Sequence, residues 1–257
     1  MNYLVNYSDE NFQAAQKYNS KTALGIGEFD HVFECGPQSI DPIFHKRNES
    51  ILTLSRGGGY WLWKPYIIRK CLDQVNLNDI LIYSDSGAFF KSSSKPLTEL
   101  PLTHNQDVIP FELELIESNW TKRDAFVFMG CDELGFDKTR QRLASFIVIR
   151  KSEFSIHFFD QYLAYCENKN ILTDLENISG LPNYDGFKDH RHDQSVFSLL
   201  TKKYSLPAFR DPSQWGNPRI NEYENSQYDQ IVEHTRSKAP KEARLLYRIK
   251  RKIFPRK

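Results

Sequence analysis

Apolar and polar positions switch between two periods along this 257-residue chain. Residues 1–8 (MNYLVNYS) read as a short first strand, and residues 29–34 (FDHVFE) as a second. Between them, residues 10–18 read as helix, with Ser8 or Asp9 as the N-cap. Leu62, Tyr66, Ile67, Leu72 and Val75 recur at helical spacing over residues 61–75, where Pro65 fits only near the start. Residues 79–83 then run into Ile80, Leu81 and Ile82, the pattern of a buried strand. AFVFM over residues 125–129 and SFIVI over 145–149 predict two further strands. Helices are predicted over 153–168 and 193–203. Segments 91–105, 170–188 and 207–221 are turn-rich, and the first is predicted to be a mobile loop. Strands alternating with helices predict an α/β layered domain. Ligands in such domains sit at the carboxyl ends of the strands, which places Asp85 and residues 130–132 near a site.

Composition narrows the class. The chain is 40% apolar and 26% charged, as soluble globular proteins are. Its 13 Tyr, 18 Phe and 4 Trp are a high aromatic share; such residues pack cores and also build stacking walls for rings. Cys35, Cys71, Cys131 and Cys166 form no CxxC pair, which favours reduced thiols in a cytoplasmic protein. The first residues have neither the basic nor the long apolar region of a signal peptide, and no run approaches a membrane span. A net charge of +1 hides an uneven distribution: residues 238–257 carry nine Lys/Arg and one acid. The body is therefore mildly acidic, which argues against nucleic acid as a partner. In the tail Leu245, Ile249 and Ile253 recur every fourth residue among basic neighbours. That basic amphipathic pattern suits an anionic membrane surface, the alternatives being a helix packed on the body or a disordered tail, so residues 238–257 are expected to form a segment separate from a domain of residues 1–237.

Two segments carry the chemistry. RGGGYWLWKP, residues 56–65, is a glycine turn followed by aromatics and Lys64. Its glycines, Gly58 and Gly59 included, would let the backbone approach something flat or anionic, with Arg56 and Lys64 meeting a diphosphate. A tight turn above an aromatic core is the plainer explanation. ILIYSDSG, residues 80–87, delivers Asp85 from the end of a buried strand into a turn at Gly87, flanked by Tyr83 and Ser86. A carboxylate there can hold Mg²⁺ or Mn²⁺, or simply cap a turn. In HRHDQSVFSLL, Asp193 and Gln194 open an apolar helix, where they can cap it or hold sugar hydroxyls and take an acceptor proton. His190 and His192 stand at i, i+2 with no third ligand nearby, a poor metal pair. Asp132 is the best candidate in the segment after AFVFM. His234 is either surface or a contact closing the site.

The order RGGGYWLWKPYII, helix, DILIYSDSG, QRLASFIVI, HDQSVFSLL and a late His resembles bacterial polysaccharide-type glycosyltransferases of the GT-A fold. The resemblance implies a single Rossmann-like domain whose central sheet is mixed and mostly parallel, flanked by helices. It implies a nucleotide-diphosphate sugar donor, UDP-sugar favoured, and a glycan or lipid-linked acceptor in surface polysaccharide synthesis at the inner face of the membrane. Such enzymes hold a divalent metal with a DxD motif, reduced here to the single Asp85, with His234 as second ligand. Asp193 is the implied catalytic residue, Asp132 the acceptor contact, and Arg56, Gly58, Gly59, Lys64, Tyr83, Asp85, Ser86, Gly87 and Gln194 the donor contacts. Two other readings remain open: a metal-dependent phosphohydrolase built on His190, His192, Asp193 and Asp85, and a non-enzymatic membrane-surface adaptor.

Overall fold

The computed structural model describes residues 1–235. The expected basic tail, residues 238–257, lies outside them. Among the described residues eight strands follow one another along the chain: β1 (Asn2–Tyr7), β2 (His31–Cys35), β3 (Ile80–Ser84), β4 (Ala88–Phe90), β5 (Val108–Ile116), β6 (Arg140–Arg150), β7 (Phe209–Arg210) and β8 (Val232–His234). Six form one sheet in the order β2-β1-β3-β6-β5-β7, and β4 pairs with β8 in a separate ribbon. Pairs β1–β2, β1–β3 and β5–β7 are parallel, while β6 runs antiparallel to β3 and β5. Five strands therefore point one way and β6 the other, the mixed and mostly parallel sheet that was expected.

Register follows from side-chain alternation. Leu4 opposite Ile82 and Val5 opposite Tyr83 place successive residues on opposite faces. Val5, Leu81, Tyr83, Ile147 and Ile149 pack into one apolar layer, and Leu4, Ile82, Phe146 and Val148 into the other. Both faces of β3 are thus covered, which explains its unbroken apolar run. Five helices bear on the site: α1 (Gln13–Gly25), α2 (Trp63–Leu72), α3 (Arg123–Phe128), α4 (Glu153–Cys166) and α5 (Asp193–Lys203). Helices α2, α4 and α5 bury Ile67, Phe158 and Phe197 in the first layer. Helix α1 is different, because it meets the sheet through amides. Asn6 Nδ2 donates to Asn19 Oδ1 at 2.7 Å, and Asn19 Nδ2 donates to Ser84 Oγ at 3.1 Å. These paired amides pin the carboxyl ends of β1 and β3 without leaving a buried polar group unsatisfied.

Three sequence expectations are corrected. Residues 125–129 are mostly in helix α3, not a strand, so residues 130–132 follow no strand. A short apolar run does not distinguish the two, and here Ala125 and Phe126 are buried against the helical layer. The strand in that region is β5, whose Pro110 and half-polar ELEL tail disguise it. The ladder shifts register between Ile109 and Phe111, the kind of irregularity that accommodates a strand proline. Residues 91–105 are no simple loop. They form helical turns Lys95–Thr98 and Leu100–Thr103, each opened by a proline, with Leu97 and Leu100 in the core.

Candidate active site

Strand β3 ends on Ser84, and the chain turns at once, with Ala88 N donating to Asp85 O at 3.0 Å. The neighbouring antiparallel strand secures the turn, because Asp85 N donates to Ser145 O at 2.8 Å. Asp85 is left at the sheet edge with its side chain 39% exposed. Tyr83 OH donates to Asp85 Oδ1 at 2.5 Å from beneath.

The glycine segment folds into an unexpected shape. Gly57, Gly58, Gly59, Tyr60 and Trp61 all have positive φ, between 52° and 91°. Five consecutive left-handed residues make one turn of left-handed helix, and each non-glycine in it costs roughly 1–2 kcal/mol. A Cβ on Gly57 would lie 2.4 Å from the Trp61 ring, and one on Gly59 would lie 2.6 Å from Leu52 Cα. The glycines thus serve the turn. Neither Gly58 nor Gly59 lines the cleft described below. The turn seats Trp61 against His192, with ring centroids 5.5 Å apart and planes 18° off parallel. It also starts α2 so that Lys64, in its first turn, points into the sheet edge.

Lys64 is almost fully buried and joins two carboxylates. Its Nζ lies 2.6 Å from Asp193 Oδ2 and 3.7 Å from Asp85 Oδ1, and it donates to Ala144 O at 3.2 Å. Burial works against its charge, but Asp193 and Asp85 outweigh that and hold the ammonium above its usual range. Asp193 opens α5 beneath His192, a residue with φ 52° and ψ −120°. Burial pushes the Asp193 carboxyl up to about 6 despite the pull of Lys64. Tyr162 OH donates to Asp193 O at 3.1 Å. Next to it, Gln194 Nε2 donates to Gln141 Oε1 at 2.8 Å.

These groups line one open cleft of about 600 Å³. Arg56, Lys64, Asp85, Asp193, Gln194 and His234, distant in sequence, all reach it. Arg56 sits between Asp174 and Asp189, at 2.8 and 2.7 Å. His234 is pinned through its backbone, its N–H donating to Gln214 Oε1 at 3.0 Å and its carbonyl accepting from Gln214 Nε2 at 2.7 Å. Tyr83, Ser86 and Gly87 support from behind. Ser86 Oγ donates to Tyr7 O at 2.6 Å, and Gly87 O accepts from Thr235 N at 3.0 Å. Asp132 is placed elsewhere: it is doubly bonded by Arg123 at 2.5 and 2.8 Å, which lowers its pKa, and it accepts from Tyr184 OH at 2.9 Å. It does not line the cleft.

His190 and His192 also line the cleft, but backbone groups engage both ring nitrogens of His190 and Nδ1 of His192. His190 Nε2 bonds Ile171 O at 2.8 Å while its Nδ1 accepts from Lys122 N at 3.2 Å, and His192 Nδ1 bonds Leu172 O at 2.9 Å. Burial lowers the pKa of both, so both are neutral near pH 7. The clustered His/Asp metal centre that a phosphohydrolase reading requires is not formed among the described residues. No three His, Cys, Asp or Glu side chains there could hold an ion by themselves. Asp85 and His234 do share the cleft, and Mg²⁺ sites commonly combine one or two carboxylates with substrate phosphates. The donor set therefore fits a divalent ion only in company with a bound diphosphate.

The remaining walls were not anticipated. Strand β5 contributes Glu112 and Glu114, and Trp120, Arg191, Trp215 and Arg219 complete the far side. The Arg191 guanidinium lies 4.4 Å from the centre of the Trp120 ring. A tryptophan inside the turn-rich segment PSQWGNP was the available signal.

Neither a protein-family model nor a curated protein matches the sequence. Solved structures do match the fold. The chain is similar to mouse xyloside xylosyltransferase 1 in its apo form, at 9% identity and TM-score 0.50, over 93% of this chain and 99% of that one. It is similar to the galactosyltransferase LgtC in complex with donor and acceptor sugar analogs, at 13% identity and TM-score 0.51, over 91% and 87% of the two chains. An active-site mutant of LgtC gives 14% identity and TM-score 0.50, over 96% and 94%. The chain has the GT-A glycosyltransferase fold that its motifs resemble.

Proposed function

We propose that the protein is a glycosyltransferase that moves a sugar from a nucleoside diphosphate donor to a glycan or lipid-linked acceptor. One observation carries the reading: a buried lysine bridges two aspartates at the carboxyl end of β3, in an open cleft of a fold shared with sugar transferases. In such a transfer the leaving diphosphate gathers negative charge. A fixed cation in a partly dry site stabilises it without reorganising, and Lys64 is such a cation. Arg56 adds charge at the rim once it exchanges one of its two carboxylate partners for phosphate. A divalent ion, Mn²⁺ or Mg²⁺, held by Asp85 and His234 would neutralise further diphosphate charge.

Asp193 orients Lys64 and faces the cleft. Its raised pKa makes it a better proton acceptor than an ordinary carboxylate, suited to an acceptor hydroxyl or to a donor sugar hydroxyl. Gln194 is held by Gln141 at a fixed angle beside it. A role in surface polysaccharide synthesis at the inner membrane face rests on the motif resemblance and on the composition of the tail. No described helix is long and apolar enough to cross a membrane.

The test is a thermal-shift screen of nucleoside diphosphates with and without Mn²⁺, because a ligand of the folded state raises apparent stability. A selective shift for one base, UDP being favoured, and its loss in Asp85→Asn are expected. No shift with any nucleoside diphosphate would contradict the proposal.

A further inference from the structure

We infer that Trp215 is the stacking platform for the acceptor, and that the acceptor presents a neutral pyranose ring there. The inference rests on the transferase reading and adds the acceptor's chemistry and place. Trp215 is 60% exposed, an unusual state for so large an apolar side chain. It is also rigidly presented. Gly216 packs so tightly that a Cβ there would lie 1.9 Å from Asp211 O. Ser213 N donates to Asp211 Oδ1 at 2.8 Å, and Gln214 is clamped to both backbone groups of His234. An exposed indole on a fixed turn at the wall of a cleft offers its face to a ligand.

Topology says which ligand. The parallel strands β2, β1 and β3 form one half of the sheet, and Asp85 and Lys64 stand where β3 meets antiparallel β6. Nucleotides favour the carboxyl ends of parallel strands. Trp215 follows β7, the edge strand farthest from β2, on a turn that Gln214 ties to His234. Glu112, Glu114 and Asp211 line the same cleft. Arg219, a cation of the same cleft, is already held by Glu112, Glu114 and Glu222 at 3.3, 3.5 and 3.1 Å. Carboxylates accept from hydroxyls and repel phosphate. An apolar ring face bordered by such acceptors suits a sugar, whose C–H face stacks while its hydroxyls donate.

The experiment is acceptor kinetics with neutral p-nitrophenyl hexopyranosides, alongside thermal shifts with nucleoside diphosphates on the same samples. For Trp215→Ala the KM of the pyranoside that the wild type uses should rise about tenfold or more, with kcat changing much less. The nucleoside diphosphate shift should stay at its wild-type size, and Trp215→Phe should restore most of the KM. An unchanged acceptor KM in Trp215→Ala would overturn the inference, as would loss of the nucleoside diphosphate shift. So would a wild type that hydrolyses its donor yet glycosylates no pyranoside. A wild type that neither binds nor hydrolyses any donor would instead remove the transferase reading on which the platform depends.

Discussion

Among the described residues two lysines are buried in ion pairs with carboxylates, and only one pair opens into the cleft. Lys202 and Glu117 lie inside the domain, with side-chain exposures of 5% and 0%. Glu117 also accepts from Ser198, from Thr121 Oγ1 at 2.6 Å and from Gln141 Nε2 at 3.1 Å. That pair is closed: every neighbour is protein, and burial lowers the pKa of Lys202. Lys64 is as deeply buried, but it has a second carboxylate, Asp85, which reaches the cleft, and its pKa is raised. Gln141 touches both systems, bonding Glu117 on one side and Gln194 on the other. The same chemistry thus serves as a strut in one place and, on our reading, as a working site a few bonds away. What separates them is whether a partner carboxylate meets solvent.

The largest expected effect breaks the strut. Lys202→Met leaves Glu117 buried without its cation and should cost about 3–5 kcal/mol of stability in urea unfolding. A loss below about 1 kcal/mol would mean that the two pairs do not differ in the way described.

Next comes pH. Asp193 titrates near about 6 when folded, against an ordinary value of 3.8. Between those values the folded state binds the extra proton. The stability this group confers is therefore present below pH 3.8 and lost as pH rises through about 6. Relative to Asp193→Asn, the wild type should lose up to about 3 kcal/mol across that window. Parallel stability curves for the two proteins would remove the perturbed carboxyl from the account.

A smaller effect separates the glycines. Gly58→Ala should cost about 1–2 kcal/mol, the strain of a left-handed residue alone. Gly57→Ala should cost more, because its Cβ would strike the Trp61 ring at 2.4 Å. Equal losses in thermal unfolding would argue against the left-handed turn.

Much of the frame was legible in the chain. The apolar runs at β1, β3 and β6 are long and covered on both faces, and the DQSVFSLL helix starts at its acidic residue as expected. Strand β5 was hidden by Pro110 and by its half-solvated ELEL tail, and AFVFM was too short to distinguish strand from helix. Lys64, Asp85, Asp193 and Gln194 stood out in the sequence from their places after a glycine turn, at a strand end and at a helix start, and all four line the cleft. Their assembly around one ammonium was not legible, because it depends on contacts between segments far apart in the chain. Nothing local could show that Tyr60 and Trp61 continue the left-handed path of the glycines. Nor could spacing reveal that carbonyls of Ile171 and Leu172 occupy His190 and His192. The far wall of the cleft escaped notice, since its residues come from β5 and separate segments without a shared motif.

The most direct measurement is the rate of sugar transfer or donor hydrolysis by Asp193→Asn and Asp85→Asn, normalised to folded protein. Both rates should fall about 100-fold or more, with folding retained. Wild-type rates in both variants would contradict the claim that the aspartates joined by Lys64 form the reacting centre.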